Sequence, residues 1–224
     1  PDLDRVLRTN HLPAGALVFG LADDGLPVAL PLANRQISSV LIAGDNGCGK
    51  TALLQCVAAS AVRLKNPERD LGIIVITSYP DEWPAMPAAH VRILTPSDTI
   101  LTIFARIVDA GEQPHTDMLV LVDSPRTILT LSDQSYRAYR TILEQGKQAN
   151  MRLIMTAHTN ELPVFADVLD DFRMRIYGQV RGSIRIPGNI PGGSELHALR
   201  HGQFTLRKSS RWLRFDTCAI PERM

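Results

Sequence analysis

The most informative segment of the chain is Gly44-Asp45-Asn46-Gly47-Cys48-Gly49-Lys50-Thr51, which fits the pattern G-x-x-x-x-G-K-[ST] of a phosphate-binding loop. It lies between the apolar runs 39–43 and 52–59, so strand, loop and helix are predicted in the order that a phosphate cradle requires. The glycines let successive backbone N–H groups face one anion, and the helix adds the positive end of its dipole. We predict that these eight residues bind ATP or ADP. The alternative is a glycine-rich turn that binds nothing.

The predicted metal site combines the end of this loop with a second motif. Lys50 would reach the β- and γ-phosphates, and the Thr51 hydroxyl would hold Mg²⁺. The apolar run 118–122 ends in Asp123, as in a buried strand that delivers a carboxylate to its C-terminal end. We predict that Asp123 holds Mg²⁺ through water and completes the metal site with Thr51. Taken alone, such an aspartate also fits a turn or a helix cap.

The residue after Asp123 argues against fast hydrolysis. Many motor ATPases have a glutamate there that polarises the attacking water, whereas this chain has Ser124. General-base help is typically worth about 10²–10⁴-fold in rate, so we expect binding with slow or absent turnover. The next predicted strand, 151–158, ends in His158, which we assign to the catalytic set as a sensor of the γ-phosphate. The alternative for His158 is a hydrogen-bonded loop residue.

Composition favours one α/β domain that spans residues 1–224. This length can bury a sizeable core, and the apolar fraction of 45% is ordinary. No apolar run approaches the ~18 residues that span a bilayer, and no signal peptide is apparent, so we expect a cytoplasmic segment without membrane contact. The chain begins with Pro1, from which we expect a piece excised from a longer chain with further domains.

The three cysteines indicate no metal site. Cys48, Cys56 and Cys218 are odd in number and lack metal-ligand spacing. Cys48 lies inside the phosphate-binding loop, which favours a reducing compartment. We therefore interpret all three as small buried or loop residues.

The near-neutral net charge conceals a basic C-terminal quarter. Residues 173–224 contain ten Lys or Arg against three Asp or Glu, whereas the rest of the chain contains fourteen against twenty. One interpretation is a surface that faces DNA. The other is a solvated hairpin and loop, since no aromatic residues interleave with the cations to stack on bases.

The remaining elements follow from short apolar runs and turn signals. Residues 16–20 and 27–32 flank Asp23-Asp24-Gly25, which predicts a β-hairpin before the loop. Strands are also predicted at 72–77 and 91–94, and helices at 97–109 and 134–148.

The order of these segments resembles the FtsK/HerA group of hexameric DNA translocases, which includes the type VII secretion ATPases. Residues 17–44 resemble the entry to that family's Walker A motif, and residues 144–154 resemble the helix and strand before its third motif. Residues 192–206 are similar to its closing helix and hairpin. The resemblance implies a RecA-like P-loop core, in which helices flank a mostly parallel sheet and β-hairpins lie near both ends. It also implies a ring that couples ATP binding or hydrolysis to the translocation of DNA or polypeptide.

The departures from the family pattern favour a degenerate member. Ser124 replaces the usual acid, residues 77–80 read Thr-Ser-Tyr-Pro where the family commonly has Asp-Pro-Lys, and Ala157-His158 replaces its Thr-Gln. The stretch before Asp123 is short for pore loops, and Arg92 and Arg106 are only candidates for an arginine finger. The alternative to an active motor is therefore a hydrolysis-poor module that regulates or scaffolds a larger secretion-type assembly.

Overall fold

The computed structural model describes residues 1–32, 34, 36–64, 70–87, 91–95, 117–123, 140–141, 143–144, 150–165, 169–181, 196–208 and 211–221. The predicted helix 97–109, Ser124 and Arg106 lie outside the described residues. Only four residues of the predicted helix 134–148 are described, and they are helical.

Two α-helices and ten strands have both of their ends within the described parts of the chain. The helices are α1 (Leu3–Thr9) and α2 (Lys50–Arg63). The strands are β1 (Ala16–Ala22), β2 (Pro27–Pro31), β3 (Ser39–Gly44), β4 (Leu71–Thr77), β5 (Val91–Leu94), β6 (Asp117–Asp123), β7 (Met151–His158), β8 (Met174–Tyr177), β9 (Gln203–Lys208) and β10 (Arg211–Asp216). Short 3₁₀ turns occupy Pro80–Glu82, Thr159–Phe165 and Leu169–Asp171. The predicted strands and the helix after the loop are thus confirmed.

These strands form a single sheet with the order β2-β1-β10-β9-β8-β3-β7-β6-β4-β5. Strands β3 to β8 pair in parallel, and β7 lies between β3 and β6. The strand before the phosphate-binding loop and the strand that ends in Asp123 are therefore separated by one strand. This arrangement confirms the predicted mostly parallel, RecA-like core.

The two predicted hairpins lie side by side and extend the same sheet. Strand β1 pairs antiparallel with β2 on one side and with β10 on the other. Gly20 permits the second contact, because a Cβ atom built there would lie 2.1 Å from the Asp216 carbonyl oxygen. In the other hairpin, Phe204 on β9 lies opposite Phe215 on β10, and β9 pairs with β8. The β9–β10 hairpin thus joins the parallel part directly, and the β1–β2 hairpin joins it through β10.

Both faces of the sheet bury apolar side chains. In β3, Val40 and Ile42 pack in the layer that includes α2, whereas Leu41 and Ala43 pack in the opposite layer. This alternation is what a strand covered on both faces requires. No helix in the described part of the chain is long and apolar enough to cross a membrane.

A buried serine ties α2 to the first hairpin. The Ser60 hydroxyl accepts a hydrogen bond of 2.8 Å from the Val18 N–H and donates one of 2.8 Å to the Val57 carbonyl. Ser60 is fully buried, so these bonds satisfy a group that would otherwise be costly to bury. They help to hold α2, and with it the phosphate-binding loop, against the sheet.

Candidate nucleotide-binding site

The loop has the backbone that the glycine pattern predicts. Strand β3 ends at Gly44, and α2 begins at Lys50 with Gly49 as its N-cap residue. Gly47 has φ 74° and Gly49 has φ 101°, which lie in the left-handed region that glycine adopts at low cost. At Gly44 a Cβ atom would lie 2.6 Å from the Cys48 sulfur. Three positions of the loop therefore need glycine for local steric reasons.

The Lys50 ammonium lies over the start of the loop. Its Nζ donates hydrogen bonds of 2.9 Å to the carbonyl oxygens of both Gly44 and Asp45. An ammonium carries three N–H donors, of which these bonds use two. The long, flexible stem of lysine allows this group to exchange carbonyl contacts for phosphate oxygens.

The structure brings Thr51 and Asp123 into direct contact. The Thr51 hydroxyl donates a hydrogen bond of 2.9 Å to Oδ2 of Asp123. On the other side, the Thr156 hydroxyl on β7 donates one of 2.9 Å to Oδ1. The Asp123 side chain is thus fixed between the loop helix and the neighbouring strand, with only 7% of the residue exposed. A hydroxyl and a carboxylate in contact provide the hard oxygen ligands that suit Mg²⁺.

His158 ends β7 as predicted, beside the first residue of the loop. It lies opposite Gly44 in the parallel register between β7 and β3. Its backbone N–H donates to Oε2 of Glu161 at 2.8 Å, and its Nδ1 accepts from the Asn160 N–H at 3.1 Å. The ring is therefore engaged in its own turn, which agrees with the loop-residue alternative. The role of His158 as a γ-phosphate sensor stays a prediction.

Asp45 fastens the loop to the ends of two strands. The Thr159 hydroxyl, after β7, donates to Oδ1, and the Arg181 N–H, after β8, donates to Oδ2 at 2.7 Å. Burial raises the pKa of Asp45, but the hydrogen bonds from Arg181 and Thr159, together with nearby positive charge such as that of Lys50, hold the pKa below its ordinary value. Asp45 was predicted only as one of the loop residues; the structure adds this bracing contact.

The turn before β9 also contacts the loop, which the sequence did not reveal. Gly202 donates its N–H to the Cys48 carbonyl at 3.0 Å, and His201 Nδ1 lies 2.6 Å from the Gly47 carbonyl oxygen. Thr156, Thr159 and His201 were not predicted as site residues, because each lies far from its partner along the chain.

The cysteines, Arg92 and Thr77 also lie within the described residues. All three cysteines are buried, as predicted, and burial raises the pKa of the Cys48 thiol. Arg92 is exposed on β5, which lies at one edge of the sheet. Thr77 lies opposite Asp123 in the register between β4 and β6, and its hydroxyl accepts a hydrogen bond of 3.1 Å from the Tyr79 N–H.

Comparison with known proteins identifies the fold. No family model and no curated protein matches the chain. Among solved structures, Thermomonospora curvata EccC (ATPases 2 and 3), in complex with a signal sequence peptide, is 16% identical with a TM-score of 0.72, over 97% of this chain and 42% of that one. EssC (ATPases 2 and 3) from Geobacillus thermodenitrificans is 15% identical with a TM-score of 0.76, over 98% and 44% of the two chains.

A conjugation protein has the same fold. The pCW3 coupling protein TcpA, solved as a monomer with ATPγS, is 13% identical with a TM-score of 0.70, over 93% of this chain and 67% of that one. This chain spans less than half the length of the EccC and EssC structures. The predicted resemblance is confirmed at the level of the fold. The chain has the RecA-like P-loop fold of the FtsK/HerA-type motor ATPases.

Proposed function

We propose that the chain is a motor-type domain that binds ATP or ADP together with Mg²⁺. The observation that carries this proposal is the 2.9 Å contact between the Thr51 hydroxyl and the Asp123 carboxylate. These residues are 72 positions apart, yet the fold brings the last residue of the loop pattern to the end of the strand predicted to hold the metal. A glycine-rich turn that binds nothing would not require this meeting.

Each residue of the site has a role in this proposal. Backbone N–H groups of the loop bind the phosphates, and Lys50 places its positive charge on the β- and γ-phosphates. Thr51 and Asp123 hold Mg²⁺, which when bound neutralises phosphate charge. Thr156 holds the Asp123 carboxylate in place, and Asp45 holds the loop in place.

Slow hydrolysis is part of the proposal. Ser124 stands where a general base is expected, and a serine hydroxyl is a poor base at neutral pH. The domain then works in the cytoplasm within a hexameric ring of identical or related domains. The fold similarity to secretion and conjugation proteins supports polypeptide or DNA as the transported polymer. The second candidate is a regulatory or scaffolding module, which Ser124 favours.

The binding test exploits the contact between Thr51 and Asp123. ATP affinity is measured by calorimetry with Mg²⁺ and with EDTA, for the wild type and for Asp123→Asn. We expect Mg²⁺ to tighten binding to the wild type and to have a much smaller effect on Asp123→Asn. Asp23→Asn, in the exposed hairpin turn, removes the same charge elsewhere and should behave as the wild type. Equal Mg²⁺ dependence in Asp123→Asn would remove this residue from the metal site.

Steady-state ATP turnover separates the two candidate functions. Turnover that is slow and unchanged by duplex DNA or a signal peptide supports the regulatory module. Turnover that either polymer stimulates supports the motor. Robust turnover without a polymer would show that a group other than residue 124 acts as the base, and His158 is the first to substitute.

A further inference from the structure

The turn before β9 contacts three consecutive residues of the phosphate-binding loop. His201 Nδ1 lies 2.6 Å from the Gly47 carbonyl oxygen, and the Gly202 N–H donates to the Cys48 carbonyl at 3.0 Å. A Cβ atom at Gly49 would lie 3.2 Å from Cα of Gly202. The turn therefore lies against the segment that contains both left-handed glycines of the loop.

These contacts determine which way the loop's N–H groups point. A carbonyl oxygen only accepts hydrogen bonds, so Nδ1 of His201 must carry a hydrogen. In a planar trans peptide the C=O and the following N–H point in opposite directions. Fixing the Gly47 and Cys48 carbonyls on the turn thus aims the N–H groups of Cys48 and Gly49 away from it. In agreement, the Cys48 N–H points across the loop to the Asp45 carbonyl at 3.3 Å.

The same turn is fastened to the C-terminal hairpin. The Thr217 N–H, just after β10, donates to the Gly202 carbonyl at 2.8 Å. Gln203, the first residue of β9, reaches Asp216 at the end of β10 with a side-chain hydrogen bond of 3.4 Å. Gly202 is therefore bonded through its N–H to the loop and through its carbonyl to the end of the hairpin.

We propose that His201 is a positioning residue that presets the loop for phosphate, and that its turn couples nucleotide binding to the β9–β10 hairpin. This inference rests on the proposed nucleotide-binding function. A loop whose backbone is already held in one conformation spends less binding energy on ordering. Coupling free energies are reciprocal, so nucleotide must stabilise the turn as much as the turn favours nucleotide.

The affinity test uses three variants in the full chain. His201→Ala removes the hydrogen bond to Gly47, whereas His201→Asn keeps an N–H donor close to the position of Nδ1. His197→Ala removes an exposed histidine four residues earlier and serves as the matched control. The dissociation constant of Mg²⁺-ATP is measured by calorimetry at a temperature where every variant is fully folded, so that a global loss of stability alone does not change it.

The expected result is weaker Mg²⁺-ATP binding by about threefold to tenfold for His201→Ala, the loss of one ordinary hydrogen bond. His201→Asn should recover most of this loss, and His197→Ala should match the wild type. Wild-type affinity in His201→Ala, together with no binding by Lys50→Ala, would overturn the positioning role and leave the proposed function intact. An Asn variant as weak as His201→Ala would overturn the role of the hydrogen bond. No binding by any protein would overturn both proposals.

Hydrogen exchange tests the coupling itself. Mg²⁺-ATP should slow amide exchange across residues 199–206 in the wild type, and this protection should shrink in His201→Ala at saturating nucleotide. Equal protection of these residues in both proteins would overturn the coupling.

Discussion

The parallel and antiparallel parts of the sheet contribute to the site in different ways. The parallel part, β3 to β8, brings together the residues with predicted chemistry, Lys50, Thr51 and Asp123. The antiparallel part, β1, β2, β9 and β10, provides the turn with His201 and Gly202 that lies against the loop. The first part thus holds the chemical groups, and the second contacts the backbone that presents them.

Strand direction decides whether the residues of a site can be predicted from the sequence. The carboxyl ends of parallel strands meet at one edge of a sheet, so polar residues that follow such strands become neighbours. No comparable rule brings an antiparallel hairpin to a particular loop. His201 reaches Gly47, 154 residues away, only because β9 pairs with β8 and so lies one strand from β3.

The largest expected effect concerns the parallel part. Mg²⁺-ATP at about 100 times its dissociation constant should stabilise the fold by about 2.7 kcal/mol. For a domain of this size, that stabilisation raises the melting temperature by roughly 5–10 °C. Lys50→Ala should abolish the shift, and Arg8→Ala, an exposed cation on α1, should retain it. Differential scanning fluorimetry measures both, and an undiminished shift in Lys50→Ala would remove the lysine from the site.

A matched pair of glycine substitutions compares the two parts of the sheet. Gly20→Ala places a methyl group 2.1 Å from the Asp216 carbonyl oxygen, where β1 meets β10, so the backbone must shift. We expect a loss of about 1–3 kcal/mol in the free energy of unfolding. Gly72→Ala, in β4, meets nothing within 4 Å and should be neutral or slightly stabilising. Urea denaturation distinguishes them, and equal effects would show that the junction between the hairpins tolerates repacking.

The next prediction concerns Thr156 on β7, in the parallel part of the sheet. Thr156→Val removes the hydroxyl that donates to the buried Asp123 carboxylate. We expect a loss of about 1.5–3 kcal/mol in the free energy of unfolding without nucleotide, since the acceptor is charged. Thr156→Ser keeps the donor and should recover most of the loss. Wild-type stability of Thr156→Val in urea would show that this hydrogen bond does not stabilise the fold.

The smallest effect is a pH dependence at Asp45, which joins the loop to the ends of β7 and β8. Its pKa in the folded protein lies below the ordinary 3.8, so the ionised form stabilises the fold above that pH. As the pH falls below 3.8, the unfolded chain takes up the proton first and this stability declines. The advantage of the wild type over Asp45→Asn in urea denaturation should be constant above about pH 5 and decrease below it. A constant advantage down to pH 3 would contradict the lowered pKa.

Much of the fold was predictable from local patterns. The apolar runs gave β3, β4, β6 and β7, and the loop pattern gave the start of α2, because burial and turn geometry act over a few residues. Helix α1 and the pairing of β1 with β10 were not predicted. The local sequence of a strand does not indicate which distant strand it will pair with.

The phosphate-binding loop and the residues expected to act there follow from the amino-acid sequence alone. Its glycines, Lys50 and Thr51 have fixed spacing, and steric freedom, charge and hydroxyl chemistry follow from residue type alone. The groups that surround them are set by the tertiary fold: Thr156 contacts Asp123, Thr159 and Arg181 contact Asp45, and the His201 turn contacts the loop backbone. These contacts depend on strand order and register, which place residues from separate segments at one edge of the sheet and which no spacing in the sequence encodes.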